Sequence, residues 1–595
     1  MGTASAADIT VNNSTGPAAD YTSIQAAVEA ANDGDNIFVY SGTYTEHVDV
    51  NKELTIISQS GNPEDTVVQA LDENDYIFDV TANNVTISGF KVDNFFSSKG
   101  INLNKVQHNN INNNDVSGEE HAISLNLSSN NTLSNNSGSI TLRYSDNNLL
   151  NNNSPTGTIT AVSLHYSDSN LLRDNSVTSD EVGIGMDNSN NNILIGNSIH
   201  ASENCIWLRS SNNNTVSNNT AGPSMDSTII LDHSDNNILT GNNLDGSEIC
   251  LELDCSNNNT LSNNTVVCLM GPTIELRSSS NNTMSNNSIS AFVGISLYSS
   301  SNNNTVSNNY VRSPDGSIII SSSSNNTVSN NTVVCSMGPA IELYSSSNNT
   351  MSNNSMSGCE GVKLFYSSNN NTVSNNYVNS SEGSILILSS SNNVIYNNYF
   401  NSQISLQNNA YDDGDNIWNI TKTAGTNIIG GPFLGGNYWS DYEGIDTDWD
   451  GLGDTLLPYN SEGQIASGGD YLPLVTPAGP APAIQATVDI NPGVLNPKSK
   501  GNWITAYIEL PACYDVNDID VSTILLMGLH PAENAPVNVG DYDCNGKPDL
   551  MVKFDKQSLL PLLDAENMEL TVTGELTDGS IFEGTDTIWV LLKVK

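Results

Sequence analysis

From about Ile101 to about Leu406 the chain repeats itself roughly every 21–23 residues, and nothing else in it restricts the fold so tightly. Successive units open on Ile123-Ser-Leu, Val162-Ser-Leu, Ile184-Gly-Met, Ile206-Trp-Leu and so on to Ile385-Leu-Ile. Each then passes through a Ser/Asn turn into a second short strand, as in Asn214-Thr215-Val216-Ser217-Asn218-Asn219. A longer period of about three units is superposed, placing Cys268 on Cys335, Ile274 on Ile341 and Tyr310 on Tyr377.

Apolar residues alternate within runs of three to five, so the repeat reads as strand and turn, without helical periodicity. A unit this short cannot bury itself. Stacked in parallel, successive units bury a continuous apolar column, while asparagines at equivalent turn positions hydrogen-bond up the stack. The handedness of parallel connections makes the result a right-handed parallel β-helix. With rungs about 4.8 Å apart, sixteen to eighteen of them predict a rod on the order of 80 Å long. Only 14% of the 595 residues are charged, and polar composition of this kind would permit disorder. The strict spacing of the apolar positions argues for order instead.

Ahead of the array, Thr22-Ser23 can cap a short helix that carries Ile24, Ala27, Val28 and Ala31 on one face. The turn Asn32-Asp33-Gly34-Asp35 then leads into a strand at Ile37–Tyr40. A helix there would cover the first rung, whose bare edge would otherwise polymerise. The expected organisation is an N-terminal cap with the first rungs over 1–60 and the β-helix over 61–475. A Pro-rich linker over 476–485 and a β-sandwich of immunoglobulin-like size over 486–595 follow, the last marked by longer alternating strands at Trp503–Leu510 and Thr587–Leu592. The fold class is therefore all-β.

Eighteen basic residues against 65 acidic ones give a net charge of −47, which excludes an extended phosphate-binding surface and hence nucleic acid or anionic lipid as partners. No apolar run is long enough for direct membrane insertion. Ala4-Ser5-Ala6 reads as the remnant of a signal-peptidase site. The eight cysteines form no close Cys-x-x-Cys pair and fit an exported, disulfide-bearing chain, with Cys335/Cys359 and Cys513/Cys544 as candidate pairs.

Tyr21-Thr-Ser-Ile-Gln-Ala-Ala-Val-Glu-Ala-Ala, Gly34-Asp35 and Ser41-Gly-Thr-Tyr-Thr-Glu46 resemble the N-terminal cap of pectate-lyase-like β-helices. The Asn-rich rungs, Gly436-Asn437-Tyr438-Trp439-Ser440-Asp441-Tyr442, the Asp446–Asp454 loop and Asp470-Tyr-Leu-Pro-Leu474 resemble the NosD-type, carbohydrate-binding and sugar-hydrolase family. That resemblance covers residues 8–475 and implies a secreted surface protein of the kind abundant in methanogenic archaea. It brings copper into consideration, but the soft ligands of Cys268-Leu-Met270 and Cys335-Ser-Met337 lie three rungs apart and the seven histidines are scattered. The Gly-His-Gly of polygalacturonases and the Asp-Pro-His of alginate epimerases are missing.

Two loops have calcium-type spacing: Asp446, Asp448, Asp450, Asp454, and Asp541, Asp543, Asn545, Asp549. Alternate carboxylates on a tight Gly-containing turn converge on one point, which suits a structural Ca2+. Both lack the acidic twelfth position of an EF-hand, where Leu457 and Val552 stand. On the rungs, the second and fourth strand residues point outward. The fourth column runs through Arg143, His165, Asp187, Arg209, Asp232, Asp254, Arg277, Tyr298, Tyr344 and Phe365, and the second adds Trp207 with several glutamates. Three readings stay open for this face. It is a charge ladder that fixes register, a glycan groove with Trp207, Tyr298, Tyr344 and Phe365 as stacking platforms, or a catalytic face with Asp232 and Asp254 as the carboxylate pair beside Arg209 and His165. The function expected overall is a structural or adhesive protein of a cell envelope, sheath or surface layer, extracellular and calcium-stabilised. Its partners would be copies of itself, in a homo-oligomer or filament, or surface glycans. The alternatives are a glycan-binding module, or a polysaccharide lyase, hydrolase or epimerase; the absent signatures lean away from an enzyme.

Overall fold

The structure is a computed structural model that describes residues 6–14, 16–71, 75–93, 99–118, 121–402, 409–476, 483–511, 514–562 and 567–591, without the side chains of Cys359 and Leu562. The expected disulfides Cys335/Cys359 and Cys513/Cys544 and most of the Pro-rich linker fall outside the described residues. The chain forms two compact units. The first runs through Val475 apart from Asp448–Asp450; the second comprises those three residues and Thr476 onward.

The first unit is a right-handed parallel β-helix of about 16 turns. One of its faces is an 18-stranded sheet built from three- and four-residue strands such as Thr215–Ser217, Ile238–Thr240 and Thr260–Ser262. The rung-to-rung pairings within the repeats are parallel and keep the sequence alignment, as in Ile206↔Ile229, Leu208↔Leu231 and Arg209↔Asp232, apart from shifts between Cys268 and Pro272 and between Gly358 and Glu360. Ile184, Ile206, Ile229, Leu251, Ile274 and Ile295 are all fully buried, so the first column forms an unbroken apolar spine.

Asparagine ladders close the corners. Asn264 accepts at its side-chain oxygen from the backbone N–H of Asn242 at 3.0 Å, Asn287 does the same for Asn264 at 3.0 Å, and Asn309 for Asn287 at 3.0 Å. Each side-chain amide also donates onward, Asn287 to Asn309 at 2.9 Å. A second ladder runs through Asn237, Asn259, Asn282 and Asn304. The residue before each ladder asparagine takes a left-handed backbone, φ +56° at Asn286 and +60° at Asn281, a conformation asparagine tolerates better than other residues bearing a Cβ. The low-charge, Asn-rich composition is thus the direct requirement of this stack.

The predicted helix forms over Ile24–Ala30 with Ser23 as its N-cap, its hydroxyl accepting from Ala26 N–H at 3.2 Å. Ile24, Ala27, Val28 and Ala31 are buried against the first strands. The Glu46 carboxylate accepts from Ile24 and Gln25 N–H, both at 2.9 Å, at the positive end of the helix. The adjoining strand is Asn36–Val39, one residue ahead of its expected position. At the other end of the unit Trp418, Trp439 and Tyr459 pack together. The buried Asp470 carboxylate accepts there from Asn437 N–H at 2.7 Å and Trp439 Nε1 at 2.9 Å. A Cβ on Gly436 would lie 1.8 Å from Asp470 Oδ1, which is why glycine precedes this asparagine.

The second unit has two sheets on one core. Thr487–Asn491, Trp503–Glu509, Asp549–Asp555 and Asn538–Gly540 make an antiparallel sheet of four. Ile519–Leu526, Asn567–Leu576 and Ile581–Val590 form the centre of a sheet of six. Ile504, Ile508, Val552 and Phe554 from the first meet Ile524, Leu570, Val572 and Phe582 from the second. The last long strand begins at Ile581, earlier than the expected Thr587.

Candidate functional site

Between the strands Thr160–His165, Val182–Asp187 and Asn204–Arg209, the outer face opens into a cleft of about 250 Å³. The three strands are in register, and Gly185 lies opposite Trp207. Because position 185 carries no side chain, the rung beside the indole is open, and the half-buried ring becomes one wall of the cleft. Its Nε1 is buried and has no hydrogen-bond partner among the described residues. A Cβ at position 185 would meet only Thr160 Cγ2 at 3.5 Å and Val182 Cγ1 at 3.8 Å. The space is therefore kept open by the choice of residue and not by backbone crowding.

His165, Asp187 and Arg209 form the other wall. Arg209 Nε lies 3.1 Å from Asp187 Oδ1, and His165 Nδ1 lies 3.8 Å from Asp187 Oδ2. The Arg209 hydrogen bond holds the Asp187 carboxyl below its ordinary range. Burial pushes the His165 imidazole down, with Arg143 adding to the effect, so it is neutral near pH 7. Glu181 and Glu203 complete the rim. They lie three positions ahead of Ile184 and Ile206, and Asp226 and Glu248 hold the same place ahead of Ile229 and Leu251. Four consecutive rungs thus carry a carboxylate at one position, and none of the four forms an ion pair among the described residues. Like charges on neighbouring strands are destabilising, so this stripe does not strengthen the stack. Aligning the units three residues further upstream would have revealed it.

The structure gathers some of the sequence candidates and separates others. Trp207, His165 and Arg209 share the cleft. Asp232 and Asp254 face one another on the next two rungs, where Asp232 bonds His233. Asp254 and Arg277 are opposite each other in the fourth column, yet Arg277 pairs elsewhere. Arg277 bridges Glu275 and reaches Glu252 at 3.5 Å, because the second-column glutamates share its strand face and Glu275 is buried. Tyr298, Tyr344 and Phe365 lie several rungs beyond Trp207, with Ser321 interrupting the run between Tyr298 and Tyr344. Tyr344 packs on Tyr366, ring centres 5.0 Å apart, and Tyr366 on Phe365 at 6.0 Å.

In the loops, ligand atoms of Asp446, Asp448 and Asp454 lie within 4.8 Å of one another, as do those of Asp541, Asp543 and Asp549. Asp450 stands outside the first trio, its N–H directed at Asp448 Oδ1 at 3.4 Å. Gly451 N–H donates to Asp446 at 2.7 Å and Gly546 N–H to Asp541 at 3.0 Å, which turns each loop in on its carboxylates. Asn545 donates to Asp543 at 2.8 Å and also to Glu509. Burial, with Asp543, Glu509 and Asp541 close by, raises the Asp549 carboxyl above its ordinary range.

A family profile described as "Periplasmic copper-binding protein (NosD)" matches residues 28–205, 186–313 and 271–444. No curated protein matches the chain. Among solved structures, the periplasmic alginate epimerase AlgG is 13% identical over 53% of this chain and 77% of its own, with a TM-score of 0.27. The N-terminal fragment of bacteriophage Phi29 gene product 12 is 11% identical over 62% of this chain and 83% of its own, with a TM-score of 0.37. Copper in a protein site calls for thiolate, thioether or imidazole donors brought together. Among the described residues the only groups of three or more His, Cys, Asp or Glu side chains within ligating range are the two all-carboxylate trios, and carboxylates alone are not the donors that copper selects. The three overlapping profile matches, by contrast, span residues 28–444 and follow the same rungs that carry the asparagine ladders and the Trp207 cleft, and on that ground the chain belongs to the NosD family.

Proposed function

We propose that this chain is an adhesive structural rod of the cell exterior whose Trp207 cleft holds a sugar ring of a surface glycan. The observation that carries the reading is the cleft itself. It combines an aromatic wall, an opening left by Gly185, and a ring of polar and charged groups, the composition by which proteins orient a pyranose. Glu181, Glu203 and Asp187 outweigh Arg209, and His165 is neutral, so the rim repels uronates and favours neutral or amine-bearing sugars. The exterior location draws on the periplasmic description of the family, and no helix among the described residues is long and apolar enough to cross a membrane. In this reading helix Ile24–Ala30 serves as the cap of the rod, the second unit is an immunoglobulin-like sandwich, and structural Ca2+ closes the two Asp loops.

Calorimetric titration with neutral, amino-sugar and uronate oligosaccharides tests it. Binding of the first two classes, lost at least tenfold in Trp207→Ala and in Gly185→Leu, is the expected result. Failure of every class to bind would overturn the cleft as a glycan site. Release of sugar fragments that stops in Asp232→Asn or Asp254→Asn would make the protein an enzyme instead. Assembly is tested separately by electron microscopy and mass measurement with Ca2+ and with a chelator. Ordered polymers that depend on the ion are expected, and a monomer under both conditions refutes self-assembly.

A further inference from the structure

Small residues pack inside one corner of the β-helix, and on several rungs two hydroxyls four positions apart bond across it. Ser224 pairs with Thr228 at 2.9 Å, Ser313 with Ser317 at 2.7 Å and Ser380 with Ser384 at 3.2 Å. The rung after Ser224 and Thr228 departs from the pattern. There the two positions are Gly246 and Cys250, and the residue stacked on Gly246 from the next rung is Cys268. Cys250 and Cys268 are both buried. A Cβ on Gly246 would come within 2.9 Å of Cys250 Sγ and 2.6 Å of Thr228 Oγ1, so the Cys250 sulfur occupies the volume that any side chain at 246 would fill. From there Cys250 Sγ lies 3.0 Å from the carbonyl of Val267, the residue next to Cys268, and the two thiols are close enough to perturb each other's ionisation. Cys268 Sγ in turn lies 3.2 Å from the carbonyl of Glu248, two residues before Cys250.

We infer that Cys250 and Cys268 are a disulfide pair that staples two consecutive rungs through the interior of the β-helix. The two buried cysteines lie on adjacent rungs with each sulfur against the backbone near the other cysteine, the proximity that a disulfide requires. Cys250 beside it holds the Cys268 thiol below its ordinary range, which favours the thiolate, the form that attacks in disulfide exchange. The triplet repeat gives an internal comparison. In its second copy Cys335 stands where Cys268 does, while Ser313 and Ser317 stand at positions 246 and 250 and bond each other, so this geometry is absent one triplet further on. Spacing alone does not single out the pair, because Cys205, Cys250, Cys255 and Cys268 all occur on nearby rungs.

With oxidised glutathione as oxidant, one cysteine thiolate attacks it and releases one glutathione thiol. The second cysteine then displaces the remaining glutathione. One S–S bond forms in the protein, and the two electrons and two protons leave on two glutathione thiols. A bond of this kind persists in the oxidising exterior proposed above. Testing it on purified protein lets the geometry and the location fail separately.

Full-length protein is unfolded in urea, refolded with oxidised glutathione so that burial does not limit access, alkylated and digested without reduction. Most chains should yield a peptide pair joining Cys250 to Cys268, lighter by two hydrogens and lost on reduction. Cys205→Ser should leave the link in place, and Cys250→Ser should leave Cys268 alkylated. Cys250 and Cys268 recovered singly alkylated, or joined to other cysteines, in chains whose circular dichroism shows the native fold would overturn the assignment.

Discussion

Replacing Asn287 by alanine tests the claim that the asparagine ladder, and not only the apolar spine, holds the rungs. Asn287 is 1% exposed and sits in the middle of the array. Its Oδ1 accepts from Asn264 N–H and Asn264 Nδ2, both at 3.0 Å, and its Nδ2 donates to the Leu261 carbonyl at 3.0 Å and to Asn309 Oδ1 at 2.9 Å. Alanine removes all four. Asn264 Nδ2 keeps Leu239 O and Asn309 Oδ1 keeps the backbone N–H of residue 287, so those two groups stay satisfied. The backbone N–H of Asn264 loses its side-chain acceptor inside the protein. Four bonds at about 1 kcal/mol each, or one stranded donor at about 1–3 kcal/mol plus the weaker losses, both lead to about 3–4 kcal/mol. The neighbouring Asn286 is exposed with φ +56°, and alanine there costs only the left-handed backbone, about 1–2 kcal/mol. Urea unfolding followed by circular dichroism gives the total, and hydrogen exchange across 260–310 localises it, since a repeat array need not unfold in one step. A loss for Asn287→Ala no larger than that for Asn286→Ala would refute the reasoning.

Three further outcomes follow from individual groups. Asp470 is fully buried, and burial raises its carboxyl from 3.8 to about 6 in the folded chain. The folded state therefore holds its proton more tightly than the unfolded chain does. That stabilisation is complete below pH 3.8 and is lost as pH rises through about 6, a change of about 3 kcal/mol. Unfolding midpoints should carry this component in the wild type and lack it in Asp470→Asn, and identical slopes would contradict it. Glu46→Ala removes the acceptor for Ile24 and Gln25 N–H and should destabilise the N-terminal rungs by about 1–2 kcal/mol, seen as faster proteolysis there; unchanged proteolysis would count against the helix as a cap. Calcium should raise the melting temperature of the wild type and do so less in Asp446→Asn and Asp541→Asn, whereas equal shifts in all three would remove the loops as cation sites.

The repeat by itself determined the β-helix, the inward and outward faces and the asparagine ladders. Each follows from local periodicity, because a residue's place within a short unit fixes which way it points and what lies above it. Partner choice across the surface was a different matter. The outward columns could be written down, yet Arg277 turns to Glu275 instead of Asp254, since two outward positions of one strand compete for the same cation and burial decides between them. The cleft beside Trp207 exists because Gly185, unremarked among the repeat openings, falls opposite the indole. The Glu181–Glu248 stripe and the Cys250–Cys268 contact lie at corners, where units of 21 to 23 residues differ in length and sequence alignment loses the register that the strands keep. Strand positions are held by the apolar spine and are legible from spacing. Corner side chains meet only once the stack has formed, and there the tertiary structure alone decided.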